Sequence, residues 1–155
     1  MDPQKDTIGF HSLWISGLTL AGDRDDLLVL YLAAIQSLAY ATRSIAEQLA
    51  EHGGYRFKVL LLCGGLAQNS VFTQTLADVL KIPVVLPEET ESVLLGAALL
   101  GVTASASEGD VAREMGRTGT VILPNVALAG YHDMKYKVFQ RLGEDQLVYR
   151  SLMSS

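Results

Sequence analysis

Leu62-Cys63-Gly64-Gly65-Leu66-Ala67-Gln68-Asn69 is the stretch whose reading decides the fold. Ahead of it, Phe57-Lys58-Val59-Leu60-Leu61-Leu62-Cys63 is a short apolar run rich in strand formers, ended by the two glycines. Behind it, Asn69 reads as the N-cap of a helix carried by Val71, Phe72, Leu76, Val79 and Leu80. A strand, a glycine turn and a helix in that order bring main chain close to a ligand, because glycine has no Cβ to hold one away. The start of the helix offers unpaired N–H groups and partial positive charge. In open α/β sheets such a loop lies at the carboxyl end of a strand, where ligands bind. The residues alone leave two readings open, a plain tight turn or a ligand loop. No third glycine follows at the dinucleotide-fingerprint spacing, and no Walker A lysine is present. Asn69 is equally divided between capping and ligand contact.

Working outward, Asp23-Arg24-Asp25-Asp26 opens a long helix, since acidic residues cap free N–H groups and meet the positive end of the dipole. It runs to about His52, where Gly53-Gly54 stop it, and would be roughly 40 Å long. Leu27, Leu30, Tyr31, Ala34, Leu38, Ala41, Ile45 and Leu49 form one apolar stripe, and Leu28, Leu32, Ile35 and Ala39 a second. Gln36, Arg43, Glu47 and Glu51 make the polar stripe. A helix apolar over most of its circumference is expected in the centre of a larger body.

On the other side of the loop, Pro83-Val84-Val85-Leu86-Pro87 predicts a second strand fenced by prolines. Glu88, Glu89, Thr90 and Glu91 open a helix from 92 to about 106. A short helix is expected over 108–117, a strand over 120–123, and a last amphipathic helix from about Asp133, with Tyr136, Phe139 and Leu142 inward. Residues 1–22 read as irregular. Strands alternating with helices predict an α/β domain with some parallel pairing.

Composition bounds the function. A chain of 155 residues, 49% hydrophobic, is one domain with a real core. A net charge of −5 argues against a nucleic-acid binder, which would need a basic patch to neutralise phosphates. The one cysteine, Cys63, excludes an intramolecular disulfide or a multi-cysteine metal knuckle and suits a reducing compartment. The longest weakly polar run, 92–106, carries Gly96 and Gly101 and is shorter than the roughly 20 residues a bilayer needs. With no signal or transit pattern at the start, a soluble cytoplasmic protein is expected. The high apolar fraction implies either a dense core or one face meant to pack against something else.

The remaining candidates read as structural. Asp23, Asp25 and Asp26 are caps and not a metal set. His11, His52 and His132 have no spacing that suits a ligand set or a catalytic pair. Cys63 is expected as a buried strand-end hydrophobe, and Asp78 as a helix residue with local bonds. No catalytic residue and no metal ligand is assigned.

The residue blocks themselves resemble a family. Leu62 to Asn69 as quoted, then Ala77-Asp78-Val79-Leu80, then Pro83-Val84, then Glu91 followed by Leu95-Gly96-Ala97-Ala98, look like the C-terminal lobe of the FGGY carbohydrate kinases. Gly17-Leu18 and the long helix resemble the family's second signature region. Tyr131, Lys135, Tyr136 and Phe139 are similar to the tail of its ribulokinase-like branch. Two departures stand out: a few extra residues around Asp23 to Asp26, and Gln36 where many members carry a glutamate.

The resemblance implies an α/β lobe of the actin/hexokinase-type ATPase (ribonuclease H-like) fold, with a small mixed sheet, a long central helix and flanking helices. It implies that Gly64, Gly65, Leu66 and Asn69 contact ATP, bound with Mg²⁺. It implies that Gly96-Ala97-Ala98 lets its helix pack closely behind the loop. Residues 1–155 are then a C-terminal domain whose N-terminal lobe, with the phosphate loops, the catalytic aspartate and most sugar contacts, would precede Met1. The whole would phosphorylate a sugar hydroxyl, on a pentulose such as D-ribulose, and this fragment alone would be inactive, since phosphoryl transfer needs several loops at once. The alternative is a non-catalytic short form, acting as a nucleotide-binding or protein-interaction module and able to form a homodimer. Neither reading involves nucleic acid or membrane.

Overall fold

The computed structural model describes residues 22–89, 91–104 and 118–153. Helix α1 spans Arg24–Gly53. Asp23 caps it, its Oδ1 accepting from the amides of Asp25 and Asp26 at 3.0 Å each. Gly54, at φ +67, closes it in the left-handed conformation that glycine tolerates. Strand β1 is Leu60–Leu61, and a single 3₁₀ turn, Gly65–Gln68, leads from it to α2, Ser70–Leu80. Strand β2 is Val84–Pro87, α3 is Ser92–Ala104, and β3 is Thr118–Ile122. After a 3₁₀ turn at Val126–Leu128, α4 covers Ala129–Met153.

The sheet has the order β1-β2-β3. β1 and β2 are parallel, Leu60 opposite Val84 and Leu61 opposite Val85, and α2 is the crossover that a parallel pair requires. β3 adds antiparallel to the other edge of β2, Val84 opposite Ile122. Gly119 permits that approach, because a Cβ there would lie 2.8 Å from the Glu88 nitrogen. The mixed sheet with one long helix and flanking helices is the expected fold class.

Helix α2 is the best-buried element: Phe72, Thr73, Thr75, Leu76, Ala77, Asp78 and Val79 are all buried. Its apolar residues pack with Ile35, Ala39 and Tyr40 of α1, Val84 of β2 and Tyr136 of α4. The long helix α1 contributes only its middle, where Ile35, Gln36, Ala39 and Tyr40 are buried. The expected facing holds only in part, with Ile35 and Ala39 of the second stripe inward but much of the first stripe turned out. Leu27, Tyr31, Leu38, Ile45 and Leu49 of the first stripe are exposed, while Gln36 of the polar stripe is buried. By length and composition α1 is, among the described residues, the one helix able to cross a bilayer, a feature the reading of 92–106 alone did not credit. Core helices of water-soluble proteins meet the same test, and the middle of α1 is packed against α2 and α4.

Other expectations shift in detail. The strand expected over 57–63 shortens to two residues, with Phe57, Val59 and Leu61 exposed. Cys63 is exposed and not a buried hydrophobe, because the carboxyl end of β1 opens onto the surface. Leu142 is exposed, although Tyr136 and Phe139 do face the core. A Cβ on Gly96 would meet nothing within 4 Å, and Ala97 and Ala98 are exposed, so the expected close packing of α3 behind the loop is not seen. The irregular segment expected over 1–22 (all but its last residue), the helix over 108–117, and His11 lie outside the described residues.

Candidate functional site

The four residues singled out, Gly64, Gly65, Leu66 and Asn69, stand in one turn at the carboxyl end of β1. The Leu62 amide makes the last bond to β2, donating to the Val85 carbonyl at 2.9 Å. The chain then breaks from the sheet at Gly64, φ +89 and ψ −174, a region essentially confined to glycine. The 3₁₀ turn follows, with the Ala67 amide on the Gly64 carbonyl at 3.0 Å and the Asn69 amide on the Leu66 carbonyl at 3.1 Å. A Cβ on either glycine would meet nothing within 4 Å, so open space lies directly over this main chain. Leu66 is exposed on the same turn. Among the described residues the amides of Gly64 and Gly65 have no protein acceptor.

Asn69 holds the junction. Its Oδ1 accepts from the amides of Val71 and Phe72, both at 3.1 Å, and its carbonyl accepts from Thr73 at 3.0 Å. Two of the N–H groups expected to be unpaired at the start of α2, those of Val71 and Phe72, are therefore taken, and the glycine turn offers further donors for a ligand. Asn69 Nδ2 donates to the Tyr31 hydroxyl at 2.6 Å. The capping half of the open reading of Asn69 is thus realised. Tyr31 escaped sequence reasoning, since it sits in an apolar stripe of α1 and nothing local marks a partner 38 residues away.

A second polar assembly ties α1 to α4. Lys135 Nζ donates to Gln36 Oε1 at 2.7 Å, and Gln36 Nε2 reaches the Tyr131 hydroxyl at 3.4 Å. The Lys135 hydrogen bond, then that of Gln36, holds the Tyr131 hydroxyl below its ordinary pKa. One turn on, the Tyr40 hydroxyl and His132 Nδ1 lie 2.9 Å apart; burial pushes Tyr40 up to about 12 and His132 down. Asp133 then joins Lys81 at 2.7 Å and Arg43 at 2.8 Å, which together hold its carboxyl down to about 2. Tyr136 donates to Glu47 at 2.7 Å, and burial, with that carboxylate beside it, pushes its hydroxyl up to about 12. Asp78 makes its expected local bond to Gln74 at 2.8 Å. It also accepts from the distant Asn125 amide at 2.6 Å, pinning the turn before α4.

Two open hollows, of about 430 and 380 Å³, share Arg43, Glu47 and Lys81 at the carboxyl end of α2. Neither touches the glycine turn, which lies at the other end of that helix, about 15 Å away by helix rise. Among the described residues no three His, Cys, Asp or Glu side chains come together as metal ligands.

A strand, a glycine turn open over its main chain, and an asparagine-capped crossover helix are thus in place. The family model of the C-terminal domain of the FGGY family of carbohydrate kinases matches residues 11–105. The chain belongs to this family. It is 44% identical over 143 residues to a human FGGY carbohydrate kinase domain-containing protein, covering 90% of this chain and 26% of that protein. It is 40% identical over 84 residues to a glycerol kinase of Acidiphilium cryptum (54% and 16%) and 34% identical over 101 residues to a D-ribulokinase of Saccharomyces cerevisiae (64% and 14%). Among solved structures, the xylulose kinase of Rhodospirillum rubrum superposes with a TM-score of 0.73 at 26% identity, covering 92% of this chain and 29% of that one. The chain spans about a quarter, or less, of the length of the curated relatives it matches. As an FGGY C-terminal domain it has the actin/hexokinase-like ATPase fold of those kinases, and the Gly64–Asn69 turn lies inside the matched region.

Proposed function

We propose that this FGGY domain is the nucleotide-binding lobe of an ATP-dependent carbohydrate kinase that phosphorylates a sugar hydroxyl, on a pentulose such as D-ribulose. The observation that carries the reading is the glycine turn. Among the described residues, Gly64 and Gly65 present amides without an acceptor beneath open space at the carboxyl end of a parallel strand. In this reading those amides hold the adenosine and α-phosphate end of the nucleotide, Leu66 lies against its apolar part, and Asn69 fixes the turn to α2. When bound, Mg²⁺ offsets phosphate charge during transfer. Among the described residues no three carboxylate, histidine or cysteine side chains come together for it.

The pentulose assignment is supported by similarity to a D-ribulokinase and by the tail residues Tyr131, Lys135, Tyr136 and Phe139. Similarity to xylulose and glycerol kinases makes D-xylulose and glycerol the competing substrates to test. The N-terminal lobe, in cis, would supply the catalytic base and most sugar contacts, so residues 1–155 alone are proposed inactive. A cytoplasmic location belongs to the same reading, in keeping with a single, exposed, free cysteine.

A second reading, a short form serving as an interaction module or homodimer, is favoured by one observation, the row of exposed apolar residues along α1.

The test is sugar-dependent ADP release by the full-length protein with D-ribulose, D-xylulose and glycerol, beside the isolated chain. Turnover preferring D-ribulose, absent from residues 1–155, is the expected result. Preference for another acceptor overturns the substrate, and turnover by residues 1–155 overturns the need for a second lobe. A native product of 16.7 kDa would favour the short-form reading.

A further inference from the structure

We propose that Tyr31 is a positioning residue for nucleotide binding, acting through Asn69; the inference rests on the reading of Gly64, Gly65 and Leu66 as nucleotide contacts held in place by Asn69. Asn69 is asked to do two things at once. Its carbonyl oxygen must face α2 to cap Val71 and Phe72, and its backbone must end the 3₁₀ turn that carries Gly65 and Leu66. A carboxamide can rotate by half a turn with little change in shape, which would aim an N–H group at the helix amides instead of an acceptor. The Tyr31 hydroxyl, 2.6 Å from Nδ2, accepts from the amide nitrogen and so fixes which end faces the helix. Among the described residues this is the one side-chain hydrogen bond that joins α1 to α2 or to the turn before it. It lies where α1 is otherwise little anchored, since Leu27, Leu28, Val29 and Leu32 around it are all exposed. Tyr31 itself is about half exposed, so its ring contributes little to the core. The hydroxyl is the functional group, and what it sets is the register of the glycine amides relative to α2.

The experiment uses the full-length kinase and measures affinity for ATP by calorimetry, beside kcat, the sugar KM and the unfolding midpoint. Tyr31→Phe keeps the ring and removes the acceptor. It is expected to weaken ATP binding about fivefold, the scale of one neutral hydrogen bond, with kcat, sugar KM and midpoint unchanged. Asn69→Ala is expected to weaken ATP binding further, and adding Tyr31→Phe to Asn69→Ala to change nothing more, because the tyrosine acts through the asparagine. Gly65→Asp separates the two claims. If it abolishes ATP binding while Tyr31→Phe has no effect, the Tyr31 inference is overturned and the nucleotide loop stands. If neither variant alters ATP binding, the nucleotide reading falls and takes this inference with it. A Tyr31→Phe effect that adds fully to Asn69→Ala, or that lowers the unfolding midpoint and every kinetic constant alike, also overturns it.

Discussion

Gly64 and Gly65 are neighbours with opposite tolerances. Gly64 holds φ +89, where any side chain strains the backbone, so Gly64→Ala is expected to cost about 1–3 kcal/mol in urea unfolding whatever the ligand. Gly65 has open space before it and no positive φ, so Gly65→Asp is expected to leave the unliganded fold nearly as stable. It should instead remove ATP-induced stabilisation, worth about 2.7 kcal/mol at a hundredfold excess over Kd. Undiminished stabilisation by ATP in that variant would take Gly65 out of the site. His132 behaves differently again. Buried beside Tyr40, with Asp78, Asp133, Lys135 and Arg43 around it, its ring has a lowered pKa. A proton therefore binds the unfolded chain more readily, so stability from this group is complete above about pH 6.5 and declines as pH falls below it. The difference in urea midpoint between the native chain and His132→Gln should shrink from pH 7.5 to pH 5. A constant difference would mean that the ring does not titrate there. Asn69 was legible as a cap because its two acceptor contacts are with the next three residues. The partners of Tyr31 and His132 lie 38 and 92 residues away, and no local pattern marks them.

At the scale of elements, helix ends were legible and helix faces were not. Asp23, the Gly53-Gly54 pair and Asn69 act within one turn, where sequence spacing is distance. The face of α1 was decided by what α2 and α4 bring to it. Gln36, Arg43 and Glu47 look like a solvated stripe until Lys135, Asp133 and Tyr136 arrive to pair with them. Apolar Leu38 and Ile45, with no element opposite them among the described residues, are exposed. The hinge of that docking is Asp133, bridging α1 through Arg43 and the end of α2 through Lys81. Its carboxyl is held down to about 2, so its contribution to stability is present above its usual range near 4 and disappears as pH falls toward 2. An NMR titration of the Asp133 carboxyl should show a midpoint near 2 that rises with added salt, as expected for exposed pairs. A midpoint near 3.8 in low salt would mean that both ion pairs are open in solution.

For the whole molecule, the open question is the large apolar surface left outside. Val93 and Leu100 on α3, and Leu27 and Ile45 on α1, expose more than half of their area, and the chain spans about a quarter, or less, of the length of its curated relatives. Residues 1–155 alone are expected to self-associate, giving a sedimentation coefficient that rises with concentration. A single monomeric boundary at high concentration would show that this surface is tolerated in water. The sequence by itself determined the order of strands and helices, the glycine turn after β1, the caps, and through four spaced blocks the family. All of these depend on contacts between residues close in the chain or on the order of residues along it. Only the tertiary structure decided that α2 is the best-buried helix, that Cys63 is exposed, that the Val71 and Phe72 amides of α2 are already satisfied by Asn69, and that Tyr31 reaches the loop. Burial and long-range hydrogen bonds depend on which elements meet in space, and helical periodicity says that a face is apolar without saying what covers it.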